Sequence, residues 1–267
     1  MDGRNGTVKK REIRYYHSYT DDFVETKDQS RKIPEDYQWI RKDPLSRLLS
    51  GLIYTAAILF SSVYCRLVLH MRYRNAKVLR QARKTGAFLF CNHTQPFGDV
   101  FMPALPSLPT RIYTVVSPAN LGIPVIGKLL PYLGALPVPD TIQGMKRFQE
   151  ALEYRLAQRR FITIYPEAHV WEYFTGIRPF PDTSFKYPVK FGKPSYSLTV
   201  TYQKRRFGGR PRATVYIDGP FYPDETLPPR AGAAALRDTV FRQMTRRSEL
   251  SNDDFIRYEP VETKHLQ

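Results

Sequence analysis

Cysteine is scarce. The 267 residues hold two, Cys65 and Cys91, both inside apolar segments. They give neither a disulfide framework nor a metal-ligand spacing, and a reducing compartment is the simple reading. Acid is short as well: 25 Asp and Glu stand against 41 Lys and Arg, a formal net charge of +16. That balance selects anionic partners, whether nucleic acid, an anionic membrane surface or phosphorylated small molecules. Residues 1–47 are polar and dense in charge of both signs, without the apolar core of a secretory signal. There is no internal repeat. No GxSxG elbow supplies a serine nucleophile, and no P-loop or GxGxxG turn cradles a phosphate, which removes the usual serine hydrolase and nucleotide-binding readings. A recognisable nucleic-acid module is missing too, so no nucleic-acid partner is expected.

What is present falls into three stretches. Residues 1–47 read as an arm rich in charge and tyrosine, packed on the surface or partly disordered. Residues 48–84 combine an uncharged run, LLSGLIYTAAILFSSVYC from Leu48 to Cys65, with a basic continuation, RLVLHMRYRNAKVLRQARK, which holds seven Lys or Arg and no acid. Eighteen residues of helix reach about 27 Å, close to the ~30 Å hydrocarbon core of a bilayer. A buried core helix is the alternative, since the run contains Ser, Thr, Tyr and Gly. A solvated basic face would interleave acids with its bases, so the collar favours an anionic cytoplasmic leaflet, with the helix either spanning or lying in the interface.

Residues 85–267 alternate short apolar runs with helical patterns. The runs at 87–92, 111–117, 134–138, 161–166, 195–202 and 212–219 are mostly continuous rather than alternating, as in strands buried on both faces. Met145, Phe148, Leu152 and Leu156 form one helical stripe, and Leu236, Val240 and Met244 another. The expected class is α/β, with a mixed, largely parallel central sheet flanked by helices and preceded by the apolar helix. The segment KRRFGGRPR at 204–212 reads as a basic loop between two strands.

Two strands end in chemistry-bearing residues. The first runs into CNHTQPFGD, placing His93 where open α/β sheets put their ligand crevices, with Asp99 six positions on. A turn broken by Pro96 and Gly98, with Gly98 taking a positive φ, folds the carboxylate onto one imidazole nitrogen and leaves the other as a general base. Alternatively, Asp99 caps a short helix at 100–105 and His93 is a loop histidine. The second strand runs into FITIYPEAHVWEYFTGIRPF. Glu167 there orients a substrate hydroxyl, holds a basic residue, or sits as a carboxylate at a helix start. Arg178 and Lys186 follow, and either meet a phosphate or remain solvated surface cations. His169 has no third ligand at recognisable spacing, so neither a metal nor another cofactor is expected.

This order of motifs resembles the glycerolipid acyltransferase superfamily, which includes bacterial 1-acyl-sn-glycerol-3-phosphate acyltransferases. The resemblance covers roughly residues 48–220 and rests on Asn92-His93 with Asp99, on LGALPVPD followed by a helix with Lys146 and Arg147, and on Pro166-Glu167 with IRPF downstream. It implies an O-acyltransferase in which His93 is the base and Asp99 its partner. The donor would be acyl-CoA or acyl-carrier protein and the acceptor a lysophospholipid. Glu167, Arg178, Lys146 and Lys186 would contact substrate at the cytoplasmic face of the cell membrane. The chain departs from the pattern twice: the His–Asp gap is one residue longer, and Glu167-Ala168-His169-Val170 stands in place of a Glu-Gly-Thr-Arg block, without its arginine. Two rival readings follow, an inactive membrane-bound lipid-binding or scaffold relative and a basic nucleic-acid-associated protein.

Overall fold

The computed structural model describes residues 12–24, 30–95, 97–206 and 209–261. Pro96 of the predicted turn and Phe207 and Gly208 of the basic loop lie outside the described residues, as does the start of the N-terminal arm.

Nine strands and seven α-helices follow along the described chain: β1 (Glu12–Tyr16), α1 (Pro44–Leu67), β2 (Arg72–Arg74), α2 (Leu79–Ala82), β3 (Ala87–Cys91), α3 (Ala104–Ser107), β4 (Ile112–Val116), α4 (Ile126–Leu133), β5 (Ala135–Pro137), α5 (Ile142–Ala157), β6 (Phe161–Ile164), α6 (Lys186–Phe191), β7 (Ser195–Gln203), β8 (Arg212–Phe221), α7 (Pro229–Ser248) and β9 (Ile256–Pro260). Seven strands form one sheet in the order β2-β8-β7-β3-β6-β4-β5. All neighbours pair parallel except β7 and β8. The chain thus has the mixed, largely parallel α/β sheet flanked by helices that the sequence pattern predicts.

The continuous apolar runs are explained by burial on both faces. Phe88 and Phe90 of β3 point into a core shared with Phe148, Leu152 and Leu156 of α5 and with Leu236, Val240 and Met244 of α7. Ala87, Leu89 and Cys91 of the same strand point the other way, onto Leu79, Met102 and Cys65. Both predicted helical stripes are therefore core stripes. Capping fixes the helix starts: Asp43 accepts from the Ser46 amide at 2.7 Å ahead of Pro44, and Thr141 accepts from the Gly144 amide at 3.0 Å.

Two expectations change. The basic stretch after α1 does not continue the helix. His70 at φ 45° turns the chain, and β2 and α2 follow. Leu69, Met71, Leu79 and Ala82 are buried there, so burial of these apolar residues overrides the helical propensity of the bases between them. The described part of residues 1–47, expected to be packed on the surface or partly disordered, is built into the fold. β1 pairs in parallel with β9, joining the two ends of the chain. Ile33 and Trp39 are buried in the α5/α7 core, and the Trp39 indole donates to the Pro137 carbonyl at 2.9 Å.

Helix α1 distributes its residues in an unusual way. It has 24 residues and a most apolar window of mean hydropathy 1.7, yet among them only Ser61 and Cys65 are buried. Ser50, Tyr54, Ser61 and Cys65 share the side that meets the domain, while Leu45, Leu48, Leu52, Leu59, Val63 and Leu67 line the exposed side. That is the reverse of a soluble amphipathic helix, and it removes the buried-core-helix alternative.

Trp39→Ala tests the new place of the arm. Emptying this buried site is expected to lower the unfolding free energy by about 3–5 kcal/mol in urea titrations; a partly disordered arm would give no change.

Candidate active site

His93 and Glu167 follow the carboxyl ends of β3 and β6, which are adjacent and parallel. Several hydrogen bonds fix the β3 loop. The Asn92 side chain donates to the Val200 carbonyl at 3.0 Å and accepts from the Val200 amide at 2.8 Å, tying the end of β3 to β7. The Tyr202 hydroxyl lies 2.7 Å from the Thr94 hydroxyl and accepts from the Gln95 side chain at 2.8 Å. The β6 loop then runs alongside: the amides of Trp171 and Tyr173 donate to the carbonyls of His93 and Thr94 at 3.1 and 2.9 Å.

Within this frame His93 Nδ1 lies 2.6 Å from Asp99 Oδ2, and the same oxygen accepts from the Gln95 amide at 2.9 Å. The longer His–Asp gap is absorbed by a helical turn, in which the Asp99 amide bonds to the Gln95 carbonyl and the Phe101 and Met102 amides to the Gly98 carbonyl. Those two amides are the ones a capping Asp99 would need, so the capping alternative does not hold. Gly98 has no positive φ. Its missing side chain instead makes room for Leu69, 2.7 Å from where a Cβ would stand. Asp99 is buried while the His93 side chain keeps 22 % exposure, and Nε2 takes no hydrogen bond among the described residues. Tyr165 packs its ring on the imidazole at 4.5 Å between centroids. An imidazole held by a buried carboxylate at one nitrogen and open at the other is equipped to take a proton from a bound hydroxyl. Burial, the largest effect, raises the Asp99 carboxyl above its ordinary 3.8, against the opposing pull of His93 and of the Gln95 amide.

Glu167 does not face this opening. Its carboxylate accepts from the His93 amide at 3.1 Å, the Arg178 amide at 3.0 Å and the Arg178 guanidinium at 3.2 Å. Glu167 thus holds a basic residue, one of the roles open to it, and also holds the backbone of the dyad loop. Arg178 is fully buried; its guanidinium donates to the His169 and Tyr19 carbonyls and lies over the Trp171 ring at 4.9 Å. Arg178, expected either to meet a phosphate or to remain a solvated surface cation, is instead enclosed in an ion pair with Glu167. Burial raises the Glu167 carboxyl, but Arg178 and the two amides pull it down, and three donors on one carboxylate favour the charged form.

The other two predicted contacts sit elsewhere. Lys146 is exposed on α5, and Lys186 is exposed at the start of α6 with its ammonium over the Tyr187 ring. No contact joins either to the dyad among the described residues. The sequence reading missed Tyr64, Phe97, Phe101 and Phe60, which cluster beside the dyad loop with centroids 5.3–6.4 Å apart. It also missed Arg210. That exposed cation opposes the burial-driven rise of the Tyr64 and Tyr173 phenols, so it lies within electrostatic reach of both. Its only signal was membership of the basic 204–212 loop. No cluster suited to a metal occurs among the described residues.

No family model and no curated protein matches the chain. Among solved structures, it is similar to the crystal structure of the 1-acyl-sn-glycerophosphate (LPA) acyltransferase PlsC from Thermotoga maritima. The identity is 13 % and the TM-score 0.48, over 78 % of this chain and 97 % of that one. At that distance the site has to stand on its own geometry.

Glu167→Ala strands the buried Arg178 charge and is expected to cost about 3–5 kcal/mol; in a double-mutant cycle, Glu167→Ala with Arg178→Met should cost clearly less than the two single losses added together. For Asp99 the sign runs the other way. A carboxyl whose pKa is raised by folding makes stability fall as pH rises from 3.8 through the raised value. Relative to Asp99→Asn, the wild type should therefore lose stability across that window, and the variant should melt no lower at pH 7. A large drop at pH 7 would mean that the carboxylate serves folding.

Proposed function

We propose that the chain is an O-acyltransferase that moves a fatty acyl group from acyl-CoA or acyl-carrier protein to a hydroxyl of a lysophospholipid such as 1-acyl-glycerol-3-phosphate. The observation that carries this reading is the 2.6 Å His93–Asp99 contact with the second ring nitrogen open beside an apolar surface. In this reading His93 Nε2 takes the hydroxyl proton as the acceptor oxygen attacks the thioester carbonyl. The C–O bond forms, the C–S bond breaks, and the leaving thiolate recovers the proton from the imidazolium. Asp99 orients the ring and stabilises its positive charge. The motif resemblance supports the same assignment.

The membrane role belongs to α1 in this proposal. The hydroxyl of Ser50 donates to the Tyr132 carbonyl at 2.7 Å near one end, and Phe60 and Tyr64 pack on Phe97 and Phe101 near the other. A helix fastened to the domain at both ends lies along it, so its exposed leucine stripe enters one leaflet rather than crossing the bilayer. Phe97 and Val100 are exposed and continue that apolar surface to the dyad loop, which supports access for lipid acceptors from the membrane. The basic residues after α1 fit an anionic cytoplasmic leaflet. With Arg178 enclosed, this reading assigns the acceptor phosphate to the exposed Arg210, whose charge acts on the Tyr64 and Tyr173 phenols beside the dyad loop.

Purified wild type and His93→Ala, given labelled acyl-CoA and lysophosphatidate, should differ about 10²–10⁴-fold in turnover, with unchanged melting. Equal activity would sink the mechanism. Arg210→Gln should raise KM for a phosphorylated acceptor about tenfold while leaving kcat near wild type.

A further inference from the structure

A second feature lies at the opposite, amino-terminal end of the parallel strands. A cavity of about 360 Å³ opens where the start of α1 meets the amino ends of the parallel strands, within the range of about 300–1,000 Å³ typical of small-molecule sites. Six cations line it: Arg41, Lys42, Arg47, Arg111, Arg155 and Arg160. None of its lining residues is Asp or Glu, and none of the six cations has a carboxylate within 4.0 Å among the described residues. Arg111 and Arg160 directly precede β4 and β6, whereas His93 and Glu167 follow the other ends of β3 and β6. From Arg160 to Glu167 the chain runs on the order of 20 Å, so the cavity is not part of the dyad site.

The cations are held by rings and carbonyls instead of acids. Arg111 lies over Tyr54 at 4.4 Å and Arg155 over Tyr113 at 4.3 Å, while Arg41 lies over Tyr132 at 4.9 Å. Arg111 also donates to the Ser50 hydroxyl at 2.7 Å, and Arg155 to the Trp39 carbonyl at 3.4 Å. The Nε groups of both are buried without a hydrogen-bond partner among the described residues. Burial lowers the Arg155 guanidinium from its usual value, and the neighbouring charges of Arg111 and Arg160 lower it further, with the Tyr113 and Tyr154 phenols opposing them. Like charges gathered at this density without a counter-charge are stabilised by an anion that several guanidinium forks reach together.

We propose that this cavity is a second ligand site, distinct from the dyad, that takes a phosphate group, either free or carried on a lipid headgroup. Arg47 belongs both to the cavity and to a shallow groove that runs along α1 past Leu48, Leu52 and Leu59. A lipid-borne phosphate would place its chain there, and the same helix reaches the dyad loop at Phe60, about 20 Å further on.

The test uses the full chain. In neutral detergent, inorganic phosphate at constant ionic strength should raise the melting temperature of the wild type. Phosphatidylcholine vesicles containing phosphatidate should bind it more tightly than phosphatidylcholine alone. Arg155→Gln should weaken the response about tenfold. Lys42→Gln with Arg47→Gln, both at the exposed rim, should weaken it several-fold without changing the melting temperature in the absence of anion. Arg242→Gln with Arg246→Gln, exposed on α7 and outside the cavity lining, should respond as the wild type does. Phosphate that competes with phosphatidate vesicles assigns a headgroup; a phosphate response without a phosphatidate response assigns the free ion. Responses identical in the wild type and both cavity variants, or no wild-type response to either probe, would overturn the proposal. His93→Ala should keep the full anion response, so this inference and the acyltransferase reading fail separately.

Discussion

The Glu167 carboxylate binds the two loops of the site to each other. It accepts from the His93 backbone on one side and from the backbone and guanidinium of Arg178 on the other, all within 3.0–3.2 Å. With a side chain fully removed from solvent, the carboxylate requires its partners; with three donors it fixes where the β3 loop leaves the sheet. The rest of the site depends on that position. The Trp171 and Tyr173 amides meet the same loop, and Asp99 reaches back across one helical turn to the imidazole. A buried ion pair of this kind adds little net stability over an apolar substitute, but removal of one partner is costly, which makes it a device for holding geometry.

Helix α1 sets a second constraint. Ser50 and Tyr54 turn inward to a carbonyl and an amide of the domain, and its leucines turn out. Burial in water would favour the reverse, so the helix is matched to an apolar surrounding. One end of it borders the cluster of cations without acids, and the other end borders the dyad loop. The surplus of base over acid is therefore concentrated in part at a defined cavity rather than spread as a general surface property.

Much of the fold was legible because burial writes itself into composition. All six predicted strands exist, since a strand covered on both faces reads as a nearly continuous apolar run, as AFLFC does and as FITI does apart from Thr163. The stripes on α5 and α7 were readable for the same reason. β1, β9 and β2 were not: EIRYY and RYR are short, charged edge strands whose formation depends on a partner far away in the chain. Trp39 in a charged arm gave no periodic signal, because a single anchor residue has no period.

At the site, local sequence determined which residue types stand at the strand ends: His93 and Asp99 after β3, Glu167 after β6. It left their roles open, since a carboxylate near a strand end serves equally as cap, partner or ligand. Tertiary structure decided among them. The helical turn from Gln95 brought Asp99 to the imidazole in spite of the longer gap. The neighbouring position of β3 and β6 turned Glu167 and Arg178 inward as a pair, and left Lys146 and Lys186 out on the surface. Arg111, Arg155 and Arg47 are far apart in the chain, and only the packing of α1 against the sheet edge gathers them around one cavity. Charge counts are fixed by sequence, whereas the distances that give charges their meaning are set by the fold.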